Sequence, residues 1–537
     1  MKLRKRLAPA LLLALTLAAC GAEPAQEEAA SAGLTWAIET EPITLNPQLW
    51  AQNKARLLVF NQFDALLARD KEGTFHPWLA KSWEVSDDGR VYTLELRDDV
   101  TFHDGTKFDA AAVKANLDQF KVPGYNPAVA AIQLKSYDKS EVVSPTTIKI
   151  TLTEPDGLFL DFLASPYSGQ VSPRSLKNAK DLKFGGPDLV GTGPFILDRY
   201  VPGQEIHYRR NPDYKWPPAT AAHQGPAHLA EITYRFLPEA SVRVGALTSG
   251  QVQVIEGVPA TEAAMIERDP DLTLTTSLNT GTSFSYYFNT SRTPFDDQRV
   301  REAFREAVDL DAVLQSVYQG TATRAWSLVA KSSPFYDASL EGRYGGDVAK
   351  ANALLDAAGW RQRDAEGYRV KDGKRLTVRV FASAAFQRDR RDVLAQAIQA
   401  QVKQNAGIDY QVKVVDQGAA QQALQDNDYE VFENSRGDSD SGAALNLILP
   451  ADGSLNRTHY ADKRLDSWLA EAGASSDQER RKELYHKVQQ TAVLDKAIVF
   501  PLYVPADQIA AHKSVQGLGF EPASGTPASA YDVRIGT

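Results

Sequence analysis

An α/β chain with more than one sheet is the fold class the sequence predicts. Three observations predict it: segments of strand and helix character alternate along the chain, short strands follow directly after helices, and no repeat of 20–50 residues marks a solenoid or propeller. Val91-Tyr92-Thr93-Leu94-Glu95-Leu96-Arg97 alternates apolar and polar residues as a half-buried strand does, and Val100-Thr101-Phe102-His103 follows a short Asp98-Asp99 turn. Asp104-Gly105 is a second turn signal, and Asp109 is placed to cap a helix carrying Val113, Leu117 and Phe120 at helical spacing. Val300, Phe304, Ala307 and Val308 form an apolar stripe opposite Arg301, Glu302, Arg305 and Glu306. A further helix through Ala349, Leu354 and Leu355 stops at Gly359, and another with Val393, Ala397, Ile398 and Val402 ends near Gly407. Strands Leu376–Phe381 and Tyr410–Val415 follow these two helices.

A length of 537 residues corresponds to about three domains. With 24% charged and 43% hydrophobic residues, the chain is neither collagen-like, coiled-coil nor disordered. A single cysteine excludes an internal disulfide, a CxxC metal site and an iron–sulfur cluster. A formal charge of −9 leaves no general basic footprint for nucleic acid.

That cysteine stands at a telling place. Lys2, Arg4, Lys5 and Arg6 precede an apolar run from Leu7 to Ala19, too short to span a bilayer but suited to a secretory leader. Leu17-Ala18-Ala19-Cys20 resembles a bacterial lipobox, in which cleavage leaves a lipidated Cys20 as the new N-terminus. Gly21–Gly33 has no large apolar residue and reads as a disordered tether reaching about 20 Å. Loss of residues 1–19 removes four positive charges and takes the formal charge from −9 to −13, so lipid rather than charge would hold the body at an anionic membrane. Later stretches contain no run of 18 apolar residues.

Motifs for catalysis are missing. Eight histidines form no HExxH, and His103-Asp104 falls in a predicted turn. Gly437-Asp438-Ser439-Asp440-Ser441 fails as a nucleophile elbow at its fifth position. The same stretch fails as a calcium loop at Ala443 and Leu449. The expectation is a binding protein with no cofactor and no resident metal.

From Leu34 to the C-terminus the chain resembles the extracellular solute-binding proteins, family 5, of oligopeptide, dipeptide and nickel ABC importers. The resemblance is carried in order by Thr44-Leu45-Asn46-Pro47, PWLAKSWEVSDDGRVYTLELRDDVTFHDG (Pro77 to Gly105), FDAAAVKANLDQF (Phe108 to Phe120), GTGPF (Gly191 to Phe195) and RNPDY (Arg210 to Tyr214). Leu247-Thr248-Ser249-Gly250, RVREAFREAVD (Arg299 to Asp309), ANALLDAAG (Ala351 to Gly359) and FPLY (Phe500 to Tyr503) complete it. The chain departs from the pattern at Gln253, where Asp is usual, at Lys215, which displaces Trp216, and at Ser435–Asp440, which lacks the usual aromatic and proline.

The resemblance implies a periplasmic-binding-protein-like II fold, pear-shaped and two-lobed, with a discontinuous first domain. Domain I would take 34–68, 193–280 and 500–537, domain II 69–192 and domain III 281–499, with ligand trapped between I and III by hinge closure. It also implies an extracytoplasmic, monomeric, lipid-anchored protein that hands short peptides or peptide-like solutes to an ABC permease. Nickel-chelate, metallophore or oligosaccharide cargo, a sensor or chaperone role, and a cell-surface hydrolase are the alternatives.

Asp438 matches the family's acidic residue that pairs with a peptide α-ammonium, with Asp440 a second candidate; an Asx turn is the structural alternative. Arg436 is a candidate for a carboxylate, Ser435 lies in the same segment, and Trp326 is placed either to stack on ligand or to fill a core. Tyr286 and Tyr287 alternate faces, so at most one, taken as Tyr286, faces the cleft. Thr44 and Asn46 are candidate cleft-loop donors.

Overall fold

The computed structural model of the protein describes residues 33–49, 56–125, 130–384, 389–437, 440–475 and 477–536. The leader, Cys20 and Asp438 lie outside the described residues.

Strands collected from distant parts of the chain build a seven-stranded sheet in the order Leu272–Leu278, Ala506–His512, Val254–Glu256, Leu34–Ile38, Glu231–Phe236, Glu205–Arg210, Phe195–Val201. Leu34–Ile38 runs parallel to both of its neighbours. Gln253, the departure noted above, uses its side-chain oxygen to accept from Thr35 N at 2.9 Å and so pins this strand's start. A four-stranded antiparallel sheet joins Ala80–Val85, Val91–Leu96, Thr147–Leu152 and Tyr137–Ser144. Its alternation is that of a sheet with one buried face: Tyr92, Leu94, Leu96, Ile148, Ile150 and Leu152 point inward. These two sheets share one continuous apolar core and form the first lobe.

The second lobe has its own core around a six-stranded sheet, ordered Thr323–Arg324, Val499–Val504, Phe284–Phe288, Val431–Asn434, Thr377–Ser383, Asp409–Val415. The chain passes between the two sheets at 278–284 and again at Pro505, a few residues beyond the boundary at 500 that the resemblance implied. At the second crossing Pro505 O accepts from Asn279 N at 2.9 Å, so the crossings are tied to each other.

Local signals explain the helices. Asp109 accepts from Ala112 N and caps Ala110–Gln119. Asp297 and Asp347 cap Gln298–Glu306 and Val348–Ala357, and Gly359 follows the latter with φ +90, the left-handed stop that glycine adopts without strain. Val100–His103 differs from its predicted strand: a lone Thr101–Lys107 bridge closes a tight loop over buried Val100 and Phe102. His103 donates Nε2–H to Gly193 O at 2.9 Å, and burial pushes its pKa down to about 4, so the imidazole is neutral.

Buried Asp64 joins two of the resembling motifs, GTGPF and RNPDY, and the tryptophan that follows the second. Its carboxylate accepts from Thr192 Oγ1 at 2.8 Å, Tyr214 OH at 3.0 Å and the Trp216 indole N–H at 3.0 Å. Trp216, displaced by one position in sequence, still reaches this site. A Cβ at Gly191 would stand 2.1 Å from Gln62 O, and one at Gly193 2.5 Å from Gln62 C, which explains the two glycines of GTGPF. Burial pushes Asp64 from 3.8 up to about 7, against the three donors. Because the folded chain holds this proton more tightly than the unfolded one, the group's stabilising contribution is full below about pH 4 and is lost as pH rises to about 7. Asp64→Asn is therefore expected to flatten the melting temperature against pH across that window. A wild-type curve no steeper than the variant's would contradict it.

Candidate functional site

In the six-stranded sheet, Thr377–Ser383 lies parallel to Asp409–Val415 on one side and to Val431–Asn434 on the other. The chain leaves Ser383 through the helix Arg391–Ala406 toward one neighbour and returns through Gln417–Gln425 to the other. Connections that diverge in this way open a crevice at the carboxyl ends of the strands, where α/β sheets bind ligands.

Arg391, the first residue of its helix, is 5% exposed and lies at this crevice. Its guanidinium sits 4.0 Å over the Phe284 ring, donates Nε–H to Tyr503 OH at 3.0 Å and donates from Nη2 to Ser435 Oγ at 3.0 Å. Asp389 Oδ2 is 3.9 Å away. Burial lowers the Arg391 pKa, but Tyr503 and Asp389 outweigh it and hold the charge. Asp389 and Arg390 have φ of 52 and 55, two successive non-glycine residues in the left-handed region, which concentrates strain at the crevice.

Beside it, between the sheets and next to the second crossing, lies a cavity of about 210 Å³ lined by Glu39, Arg243, Tyr318, Asp389, Arg390, Tyr503 and Asp507 among others. Arg243 spends its donors on four carbonyls, those of Leu237, Pro238, Glu256 and Gly257, at 2.6–3.0 Å. Its volume is smaller than the roughly 300–1,000 Å³ typical of small-ligand pockets.

The sequence candidates divide around this site. Ser435 lies at it, as the acceptor for Arg391. Arg436 is fastened to the first crossing by its backbone, which accepts from Thr282 N at 2.7 Å and donates to Thr282 Oγ1 at 2.8 Å. Asp438 follows in the same segment, outside the described residues.

The other five candidates have partners or burial of their own. Asp440 is 3% exposed, caps Ser441–Ile448 by accepting from Ala443 N at 3.0 Å, and pairs with Arg481 at 2.8 Å, so its carboxylate is engaged inside the second lobe. Tyr286 is fully buried, as is Tyr287, because both faces of Phe284–Phe288 are covered; Tyr410 packs beside Tyr286 and Phe432 beside Tyr287. Trp326, left by the sequence between ligand stacking and core packing, stacks with the Arg324 guanidinium at 3.9 Å and meets Tyr344 edge-on at 5.3 Å. Thr44 donates to Lys183 O at 2.7 Å, and Asn46 to Leu182 O and Tyr125 OH, so these donors bind their loop to 182–184.

Arg391, Asp389 and Tyr503 were not among the sequence candidates. A signal existed: Arg390-Arg391 places two cations at a helix N-terminus, where the macrodipole disfavours them.

Two lobes joined by paired crossings, with a charged crevice and cavity between them, define a binding protein that encloses a small solute. The chain belongs to the bacterial extracellular solute-binding proteins, family 5, whose "Middle" profile matches residues 74–454. It is a solute-binding component of an ABC importer and not an enzyme. It is 29% identical over 532 residues to the glutathione-binding protein GsiB of Salmonella paratyphi A, covering 96% of each chain. Among solved structures it is similar to NikA from Brucella suis in complex with Fe(III)-EDTA, with a TM-score of 0.83 and 25% identity over 94% of this chain and 100% of that one. It is also similar to AgaA from A. tumefaciens R10 in complex with agropinic acid, with a TM-score of 0.75 and 27% identity over 94% and 99%.

Ser435→Ala is expected to cost about 1.5–3 kcal/mol in chemical denaturation, since it removes an acceptor from a buried charge. A change within error would mean that Arg391 is satisfied without it.

Proposed function

We propose that the protein captures a short peptide or peptide-like solute of the size of glutathione and delivers it to an ABC permease. The observation that carries this reading is the buried, geometrically fixed Arg391 at the strand-end crevice, next to a cavity edged by Glu39, Asp389 and Asp507. A cation and several carboxylates within one small enclosure suit a zwitterion bearing both ammonium and carboxylate groups. Arg391 takes a cargo carboxylate, and Asp438, in the segment that follows Val431–Asn434, takes the ammonium. The working units are three domains: I (34–68, 193–280 and 505–537), II (69–192) and III (281–504), the last boundary following the crossing at Pro505. The body is held at the membrane by lipid on Cys20.

A chelated metal is the second reading, favoured by the likeness to NikA with Fe(III)-EDTA. Among the described residues no group of three or more His, Cys, Asp or Glu is arranged to hold a metal ion, so such cargo would arrive already chelated.

Calorimetric titration with glutathione, dipeptides, agropinic acid and Fe(III)-EDTA tests the two readings together. Binding of a peptide-like probe is expected, weakened roughly 10- to 100-fold by Arg391→Gln. Binding of the chelate alone, or peptide binding indifferent to Arg391, would overturn the first reading. Cys20→Ser is expected to move the protein from the membrane to the soluble fraction.

A further inference from the structure

The cavity beside Arg391 is where the chain stops capping its helices. Apart from Ala240–Thr248, Ala260–Arg268 and Arg391–Ala406, every described helix of eight or more residues starts at an aspartate whose side chain accepts from the first turn. The exceptions have Glu239, Pro259 and Arg390 at the cap position, and none of these makes a side-chain cap. Ala240, Ala260 and Arg390 all line the cavity. The backbone N–H groups of Ala240, Ser241, Ala260 and Thr261 have no acceptor among the described residues. Two helices of the first lobe thus begin at one small space with their orphan donors and positive dipole ends unanswered.

A side chain of the second lobe points to a ligand independently. Tyr318 lines the same cavity and is 5% exposed, yet its hydroxyl has no hydrogen-bond partner among the described residues. Its ring lies 5.2 Å from that of Tyr503, whose own hydroxyl accepts from Arg391 at 3.0 Å and donates to Asp389 Oδ2 at 3.5 Å. A buried hydroxyl left unpaired is costly, and the cost is recovered when a bound group supplies the acceptor.

We infer that this cavity takes a carboxylate of the cargo, held by the first-turn N–H groups of Ala240–Thr248 and Ala260–Arg268 and by the Tyr318 hydroxyl, while Arg391 takes a second carboxylate at the crevice. Helix N-termini and a hydroxyl donor suit an oxygen anion. Glu39, Asp389 and Asp507 line the cavity too, so a bare dianion would be repelled there, and an ammonium on the same molecule offsets that repulsion. The cargo class is therefore an amino dicarboxylate, a peptide-like solute with one ammonium and two carboxylates. A space of about 210 Å³ admits one arm of such a molecule and leaves the rest at the crevice. The inference rests on the reading of a peptide-like cargo bound through Arg391, and narrows it.

Calorimetric titration with glutathione, which carries one ammonium and two carboxylates, and with its glycyl monoethyl ester tests this. The ester is expected to bind roughly tenfold or more weakly. Tyr318→Phe is expected to weaken glutathione about fivefold or more, and Ala260→Pro likewise, since proline at the first helical position removes an N–H and keeps the turn. The melting temperature of Tyr318→Phe is expected to equal or exceed that of the wild type, whereas loss of a structural hydroxyl bond would lower it. Against the ester, one of Tyr318→Phe and Arg391→Gln is expected to lose its effect, and which one does tells which carboxylate enters the cavity. Both retaining their effect would overturn the division of two carboxylates between two sites, as would an ester that binds like glutathione. Glutathione binding indifferent to Tyr318→Phe and Ala260→Pro, but still weakened by Arg391→Gln, would overturn the inference and leave the reading beneath it standing. Dipeptides binding where glutathione does not would do the same. Failure of every peptide-like probe would bring down that reading and the inference with it. If Ala260→Pro does not fold, Tyr318→Phe decides alone.

Discussion

Everything the molecule does depends on how few times its chain crosses from one lobe to the other. Between the seven-stranded and six-stranded sheets the chain passes at 278–284 and at Pro505, and the two passages are bonded to each other. Two separate cores therefore stand on either side of the crossings. The crossings also anchor the groups proposed to face cargo. Thr282, on the first, holds Arg436, and Tyr503, just before the second, holds Arg391.

Rigidity within each lobe has a different source. Asp64 gathers Thr192, Tyr214 and Trp216 in the first lobe, so the family motifs around them are devices for packing one chain segment against another. In the second lobe, helices fill both sides of the sheet, and its central strand Phe284–Phe288 exposes nothing. A stiff sheet with its switch point at one end leaves a crevice only where the connections diverge, and there the buried guanidinium stands.

Much of the fold was legible in local sequence. The strand Val91–Leu96, the cap at Asp109 and the stops at Gly359 and Gly407 depend on residues within a few positions of one another, so spacing alone reveals them. The motifs that carried the resemblance agree with the family match over residues 74–454. The site was less legible. Tyr286 looked half-exposed because alternation tells which residues share a face but not whether a second layer covers the other face. Thr44, Asn46 and Asp440 carry the polar groups a cleft would use, yet each also has a partner far along the chain, Lys183, Leu182 and Arg481, that spacing does not reveal. Asp64 was passed over for the same reason, its donors being 128 to 152 residues distant.

The order of the seven-stranded sheet bears on how such a chain is made. Ala506–His512 lies between Leu272–Leu278 and Val254–Glu256, so the sheet has a gap until the last strand is available. The first crossing is likewise held by the chain's end, where Thr280 donates to Ala523 O and a Cβ at Gly525 would stand 2.2 Å from Leu278 O. During synthesis from the N-terminus, the first lobe cannot close while the final thirty or so residues are missing.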